Sequence, residues 1–159
     1  MVYRNTIIDM LDVELKPLDE LLIDNCIIHN MVIAGCEFIH SVVIKDSVFD
    51  VFNAIGAWFT KGLLIKGCIF KGRTTFEAGG HNDPDHKVII ENNIFISPLD
   101  FFDVWYKGPF VFRHNIVLAG SNLLGNQDTC TKAGFDSTVE IENNIGNLYL
   151  NEADMPSYP

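Results

Sequence analysis

Apolar and polar residues along this chain fall into an eight-residue phrase: apolar, any, apolar, polar, turn-former, small or Asn, apolar, large apolar. The clearest copies are Val88-Ile89-Ile90-Glu91-Asn92-Asn93-Ile94-Phe95 and Leu63-Leu64-Ile65-Lys66-Gly67-Cys68-Ile69-Phe70. Copies start at Leu21, Met31, Val42, Leu63, Val88, Phe110 and Val139. Leu21, Val42 and Leu63 stand 21 residues apart, and the next intervals are 25, 22 and 29. The longer intervals carry polar insertions, Gly79-Gly80-His81-Asn82-Asp83-Pro84 and Gly125-Asn126-Gln127-Asp128-Thr129. Met31 opens a half-coil copy, because a shift of 21 lays Gly35 on Gly56, Cys36 on Ala57 and Phe38 on Phe59. A phrase repeated at one coil's length predicts a solenoid of stacked strands.

Strand side chains alternate, so positions one, three and eight face inward. They read Leu21, Ile23, Ile28; Val42, Ile44, Phe49; Leu63, Ile65, Phe70; Val88, Ile90, Phe95; Phe110, Phe112, Val117; and Val139, Ile141, Gly146. Position six reads Cys26, Ser47, Cys68, Asn93, Asn115, Asn144. Small residues and Asn there suit a tight turn, Asn tolerating left-handed backbone angles, and stacked Asn side chains are expected to form a hydrogen-bonded ladder. At roughly 4.8 Å per coil, six coils make a rod about 30 Å long.

In Val88–Phe95, Phe110–Val117 and Val139–Gly146, with coils of 21 or more residues, the chain resembles the right-handed parallel β-helix proteins, the pectin-lyase-like superfamily. The early coils are also similar to pentapeptide-repeat proteins, with Cys26-Ile27-Ile28, Cys36-Glu37-Phe38 and Ser47-Val48-Phe49 setting a small residue two before a large apolar one. The expected fold is all-β, a single-stranded right-handed parallel β-helix of about six coils. Residues 1–20 are expected to form an N-terminal cap outside the repeat, 21–150 the β-helix and 151–159 a C-terminal tail. A cap is needed because solenoid ends expose unpaired strand edges.

A chain of 159 residues, 48% hydrophobic, fills one narrow core. A net charge of −10 sets it against phosphate-rich partners, so neither nucleic acid nor an anionic membrane is expected to bind. No apolar run is long enough to span a bilayer and no leader stands at the start, which reads as cytoplasmic, with a removed leader as the alternative. Cys26, Cys36 and Cys68 take repeat positions expected to be buried, Cys130 lies in an insertion, and the four read as free thiols.

Position two faces outward and reads Leu22, Val43, Leu64, Ile89, Val111, then Glu140. Five apolar side chains in a row are expected to be covered, by a second copy in a homodimer or by another part of this chain. Position four, also outward, reads Asp24, Lys45, Lys66, Glu91, Arg113, Glu142, of which Glu91, Arg113 and Glu142 alternate in sign and are expected to pair between coils.

Candidate chemistry concentrates in two segments. His81, Asp83, Asp85 and His86 are candidate divalent-metal ligands, although ordinary turn chemistry explains the loop equally and no cofactor is required. Asp100, Asp103, Trp105 and Tyr106 are candidate carbohydrate contacts, aromatic faces stacking on sugar rings and carboxylates accepting hydroxyls. The plain alternative packs these aromatics inside the coil, as is expected of Trp58-Phe59. The resemblance implies calcium-dependent lyase or hydrolase chemistry, but no lyase motif or polygalacturonase pattern is present, and hydrolysis would need a fixed pair such as Asp100 and Asp103. The chain therefore reads as a noncatalytic binding or assembly module that self-associates through its outer stripe. The alternative is a carbohydrate-binding or carbohydrate-cleaving protein using residues 79–86 and 99–106.

Overall fold

The computed structural model describes residues 1–13, 20–125, 133–151 and 154. They form an all-β parallel solenoid of about five turns, with no α-helix among them. From Leu21 to Val139 the six phrase starts lie in register, each strand parallel to the next, and the count of about five turns differs slightly from the six expected.

Three faces surround the core. The first carries Val2–Arg4, Leu21–Asp24, Val42–Lys45, Leu63–Lys66, Val88–Glu91, Phe110–Arg113 and Val139–Glu142, each parallel to the next. The second is built on Ile7–Asp12, Ile27–Val32, Val48–Asn53, Ile69–Phe70, Thr74–Thr75, Ile94–Phe95, Leu99–Asp100, Ile116–Val117 and Ile145–Gly146. The third is made of short pairs, Glu37–Phe38 with Trp58–Phe59 and Trp105–Tyr106 with Gly134–Phe135, linked by single bridges through Gly80.

Residues Val2–Asp12 are not outside the repeat. Val2-Tyr3-Arg4 pairs with Leu22-Ile23-Asp24, and Ile7-Ile8 with Ile27-Ile28. Met1-Val2-Tyr3-Arg4-Asn5-Thr6-Ile7-Ile8 is a further copy of the phrase. Its interval of 20 and its exposed first position hid it.

Inward positions interlock as the alternation requires. Phe49, Phe70 and Phe95 stack with centroids 5.1 and 4.7 Å apart, and Phe112 follows at 6.2 Å. Phe76 stacks on Phe101 at 5.1 Å and Phe38 on Phe59 at 5.6 Å. Each such pair contributes about 0.5–1.5 kcal/mol beyond its buried area. Cys26, Cys36 and Cys68 are buried free thiols, and burial pushes the Cys68 thiol up to about 12. Cys130 lies outside the described residues.

The sharp turn between the first two faces divides its work between two positions. Position five takes the left-handed angle in every copy: Asn5, Asn25, Asp46, Gly67, Asn92, His114 and Asn143 have φ between 49° and 68°. Asn and Asp adopt this region because their side chains bond locally, and Gly because it has no Cβ. Position six, expected to hold that angle, instead turns its side chain into the core. There the ladder forms: Asn93 Nδ2 donates to Asn115 Oδ1 at 3.0 Å, and Asn115 Nδ2 to Asn144 Oδ1 at 3.1 Å. In the early coils a hydroxyl does the same work, Cys26 N–H donating to Ser47 Oγ at 3.0 Å.

Position four pairs across coils: Lys45 lies 3.3 Å from Asp24, and Glu91 is held between Lys66 and Arg113, both at 2.9 Å. Arg113 takes Glu140 as its other partner at 2.7 Å rather than Glu142, the guanidinium reaching back to position two.

Candidate functional site

One row on the third face runs Glu37, Trp58, Gly80, Trp105, Gly134, one residue per coil, with Glu37, Trp58 and Trp105 exposed, Gly134 half-buried and Gly80 buried. Their chain neighbours Phe38, Phe59 and Tyr106 point inward and are buried. Alternation thus separates Trp58 from Phe59: the indole, expected inside, is 43% exposed, and Trp105 is 50% exposed. The two indoles stand two coils apart, about 10 Å at ordinary strand spacing.

Gly80, between them, is irreplaceable on steric grounds. Its φ is +102°, and a Cβ there would sit 2.5 Å from the Trp105 carbonyl oxygen. The row therefore alternates large with bare positions. His81 follows with φ 52°, and its ring lies against Trp58, centroids 4.6 Å apart and planes 36° apart. Partial burial, reinforced by the charge of Lys107, holds the His81 imidazole below its ordinary pKa, so it is neutral at pH 7.

Beside this row a cavity of about 350 Å³ is lined by His81, Phe102, Asp103, Trp105 and Gly134, with Ala78 and Val104. Asp103 belongs to a corner whose left-handed slot is taken by Gly35, Gly56 and Ala78 in earlier coils. Its φ is 54° and its carboxylate is exposed at the cavity. The site combines aromatic faces, one neutral imidazole and one carboxylate, which can stack on a ring and accept or donate hydrogen bonds.

The other expected carbohydrate contacts do not join it. Asp100 is 6% exposed; its Oδ1 accepts from Phe102 N–H at 2.9 Å and Asn122 Nδ2 at 2.8 Å, while Arg73 lies 3.5 Å from Oδ2. It organises a corner rather than facing a ligand, so Asp100 and Asp103 do not form an open carboxylate pair. Tyr106 is fully buried, and burial raises its phenol pKa. Its ring packs on Phe110 at 4.5 Å.

The expected metal ligands are dispersed. His81 packs on Trp58, and Asp83 is ion-paired with Lys61 at 2.6 Å, which lowers its carboxyl pKa. Asn82, wholly buried, pins the loop by donating to the His86 carbonyl at 2.5 Å and accepting from Gly108 N–H at 3.2 Å. Among the described residues no group of three or more His, Cys, Asp or Glu side chains is placed to hold a metal ion.

The outer stripe lies in register on the first face, with Leu22, Val43, Leu64 and Ile89 half-buried and Val111 buried. A second row is more open. Position seven reads Ile7, Ile27, Val48, Ile69, Ile94, Ile116, Ile145 along the second face, and Ile7 and Ile145 at its ends are 67% and 65% exposed. Ile96 and Leu118, also exposed, widen it in the later coils. This row was legible, since the phrase has apolar residues at both seven and eight and only one of them can face inward.

Comparison with family profiles, with curated proteins and with solved structures found no match to this chain.

Proposed function

We propose that this chain is a noncatalytic β-solenoid binding and assembly module of the pectin-lyase-like type, forming a homodimer through its outer apolar surface. The observation that carries the reading is the in-register row Ile7, Ile27, Val48, Ile69, Ile94, Ile116, Ile145, beside the half-buried stripe of Leu22, Val43, Leu64, Ile89 and Val111. Soluble chains rarely leave a contiguous apolar patch of this kind in water. A pleated sheet face is flat enough to meet its own copy, and a two-fold pair closes without open-ended growth. Buried thiols and the net charge of −10 fit a reducing compartment and a partner that is neither nucleic acid nor anionic membrane. The pectin-lyase-like kinship is supported by the position-six Asn ladder and the long coils.

The test is solution mass by size-exclusion chromatography with light scattering over a concentration series. Wild type is expected to reach dimer mass. Leu64→Glu with Ile89→Glu, or Ile69→Glu with Ile94→Glu, is expected to give folded monomer, and which pair does so assigns the face. A wild-type monomer at every concentration, or dimers in both paired variants, would overturn the reading.

A further inference from the structure

We propose that the cavity beside Trp105 binds a quaternary ammonium group, with the Trp105 indole as its aromatic wall and the Asp103 carboxylate as its counter-ion. This goes beyond the self-association reading and does not depend on it, since the cavity lies on the third face, away from both apolar rows.

The lining combines an apolar wall with one negative charge. Trp105, Phe102, His81 and Asp103, with Ala78, Val104 and Gly134, bound about 350 Å³. That volume lies at the small end for ligand cavities and suits a compact group rather than a large molecule.

Trp105 is available as a wall because of its neighbours in the row. Gly80 stands on one side and Gly134 on the other, so neither lays a side chain over the indole. A Cβ on Gly134 would lie 3.7 Å from the Trp105 ring, and glycine leaves that place open. The indole is 50% exposed. His81 is taken up by Trp58, centroids 4.6 Å apart, and bounds the cavity as a fixed side. The negative face of an aromatic ring attracts a cation within about 6 Å of its centroid, and indole does so best.

Asp103 supplies the charge. It follows Gly35, Gly56 and Ala78 in a corner column whose members all have positive φ, and the short Ala78 also lines the cavity. The Asp103 carboxylate is exposed. Among the described residues no Lys or Arg pairs with it, whereas Asp83 is held by Lys61 and Glu91 by Lys66 and Arg113. An unpaired carboxylate on a chain of net charge −10 sets a negative potential at the cavity. Burial, and then the charge of Lys107, keep the His81 imidazole neutral at pH 7, so it adds no repulsion. Lys107 itself is the opposing charge nearby.

The same lining selects among cations. A primary ammonium brings three N–H donors and a guanidinium five, each needing an acceptor once water is lost. The lining side chains offer one carboxylate and one imidazole, which leaves donors unmatched at a cost. A quaternary ammonium has no N–H and needs only a carboxylate and an aromatic face. Its source is a free small molecule of the choline type or a trimethylated lysine side chain.

The experiment titrates the full chain with choline and tetramethylammonium at constant ionic strength. Alongside them run the neutral isostere of choline, with tert-butyl in place of trimethylammonium, and a short peptide whose lysine is trimethylated or unmodified. Calorimetry gives the affinities. Trp58→Phe keeps a ring against His81 and leaves Trp105 as the only indole, so emission then reports from the cavity wall. The quaternary ligands are expected to bind saturably and to change that emission. The neutral isostere and the unmodified peptide are expected to bind about tenfold more weakly. Trp105→Ala is expected to weaken binding by about tenfold, Trp105→Phe by less, and Lys107→Ala to tighten it. Asp103→Gly keeps the left-handed angle without strain, so it is expected to hold or raise the melting temperature while weakening binding; this keeps the proposal testable should an indole variant fold poorly. Tighter binding of the trimethylated peptide than of choline would assign the site to a protein side chain, and the reverse to a free small cation. No saturable response to any quaternary ligand at millimolar concentration would overturn the proposal. So would equal affinity for the neutral isostere, or unchanged affinity in folded Trp105→Ala or Asp103→Gly.

Discussion

Asn93 and Asn115 are joined twice by one oxygen: Asn115 Oδ1 accepts the Asn93 backbone N–H at 3.0 Å and the Asn93 side-chain Nδ2 at 3.0 Å. Asn115 repeats the arrangement one coil on, its own N–H and Nδ2 both donating to Asn144 Oδ1, at 2.9 and 3.1 Å. Each Nδ2 also donates to a carbonyl of an earlier coil, Ile65 for Asn93 and Ile90 for Asn115. An amide side chain with one two-acceptor oxygen and one two-donor nitrogen satisfies this turn completely.

Removing the central member should therefore be costly. Asn115→Ala strips partners from the Asn93 N–H, the Asn93 Nδ2 and the Ile90 carbonyl in a buried setting. Loss of about 3 kcal/mol is expected, since each unsatisfied buried group costs about 1–3 kcal/mol and the bonds reinforce one another. Urea unfolding measures it. A loss under about 1 kcal/mol would mean that water replaces the ladder.

Glycines with positive φ should not be equivalent. A Cβ on Gly80 would meet the Trp105 carbonyl oxygen at 2.5 Å, whereas a Cβ on Gly56 finds its nearest atom, Gly35 Cα, at 3.7 Å. Gly80→Ala must shift a neighbouring backbone and is expected to lose about 3 kcal/mol. Gly56→Ala bears only the left-handed penalty of about 1 kcal/mol. Thermal melts of the two variants side by side should show this order, and Gly80→Ala should also move the indole emission.

Acid should weaken the first face through Glu91. Its hydrogen bond to Lys66, and next that to Arg113, hold its carboxyl below the ordinary value despite partial burial. A carboxylate with a depressed folded pKa stabilises the fold above its unfolded pKa, and that contribution is lost as pH falls through the folded value. Urea midpoints from pH 7 down to pH 3 should therefore fall less steeply in Glu91→Gln than in wild type. Parallel slopes would show that other carboxylates govern acid sensitivity.

The chain's own pattern determined the parallel solenoid, its inward columns and the Asn ladder. Period-two alternation within a repeated phrase leaves one choice of face for each apolar residue, and a one-residue slip would expose the whole core. The same alternation already implied that Trp58 and Phe59 part company and that position seven faces water. What stayed hidden depended on lateral neighbours and exact turn geometry. The left-handed angle sits at Asn92 and His114 rather than at Asn93 and Asn115, a one-residue difference that composition cannot resolve because Asn suits both roles. The first coil is masked in the pattern because Met1 and Val2 lie at an exposed edge, where burial no longer disciplines the choice of residue. Residues 99–106 supplied candidates that only tertiary structure could sort: Asp100 and Tyr106 turn inward to satisfy a corner and fill the core, while Asp103 and Trp105 remain in the open. His81 lies against Trp58 and lines a cavity with Trp105 because coils of unequal length still stack at one strand spacing, a proximity that the spacing of these residues along the chain does not show.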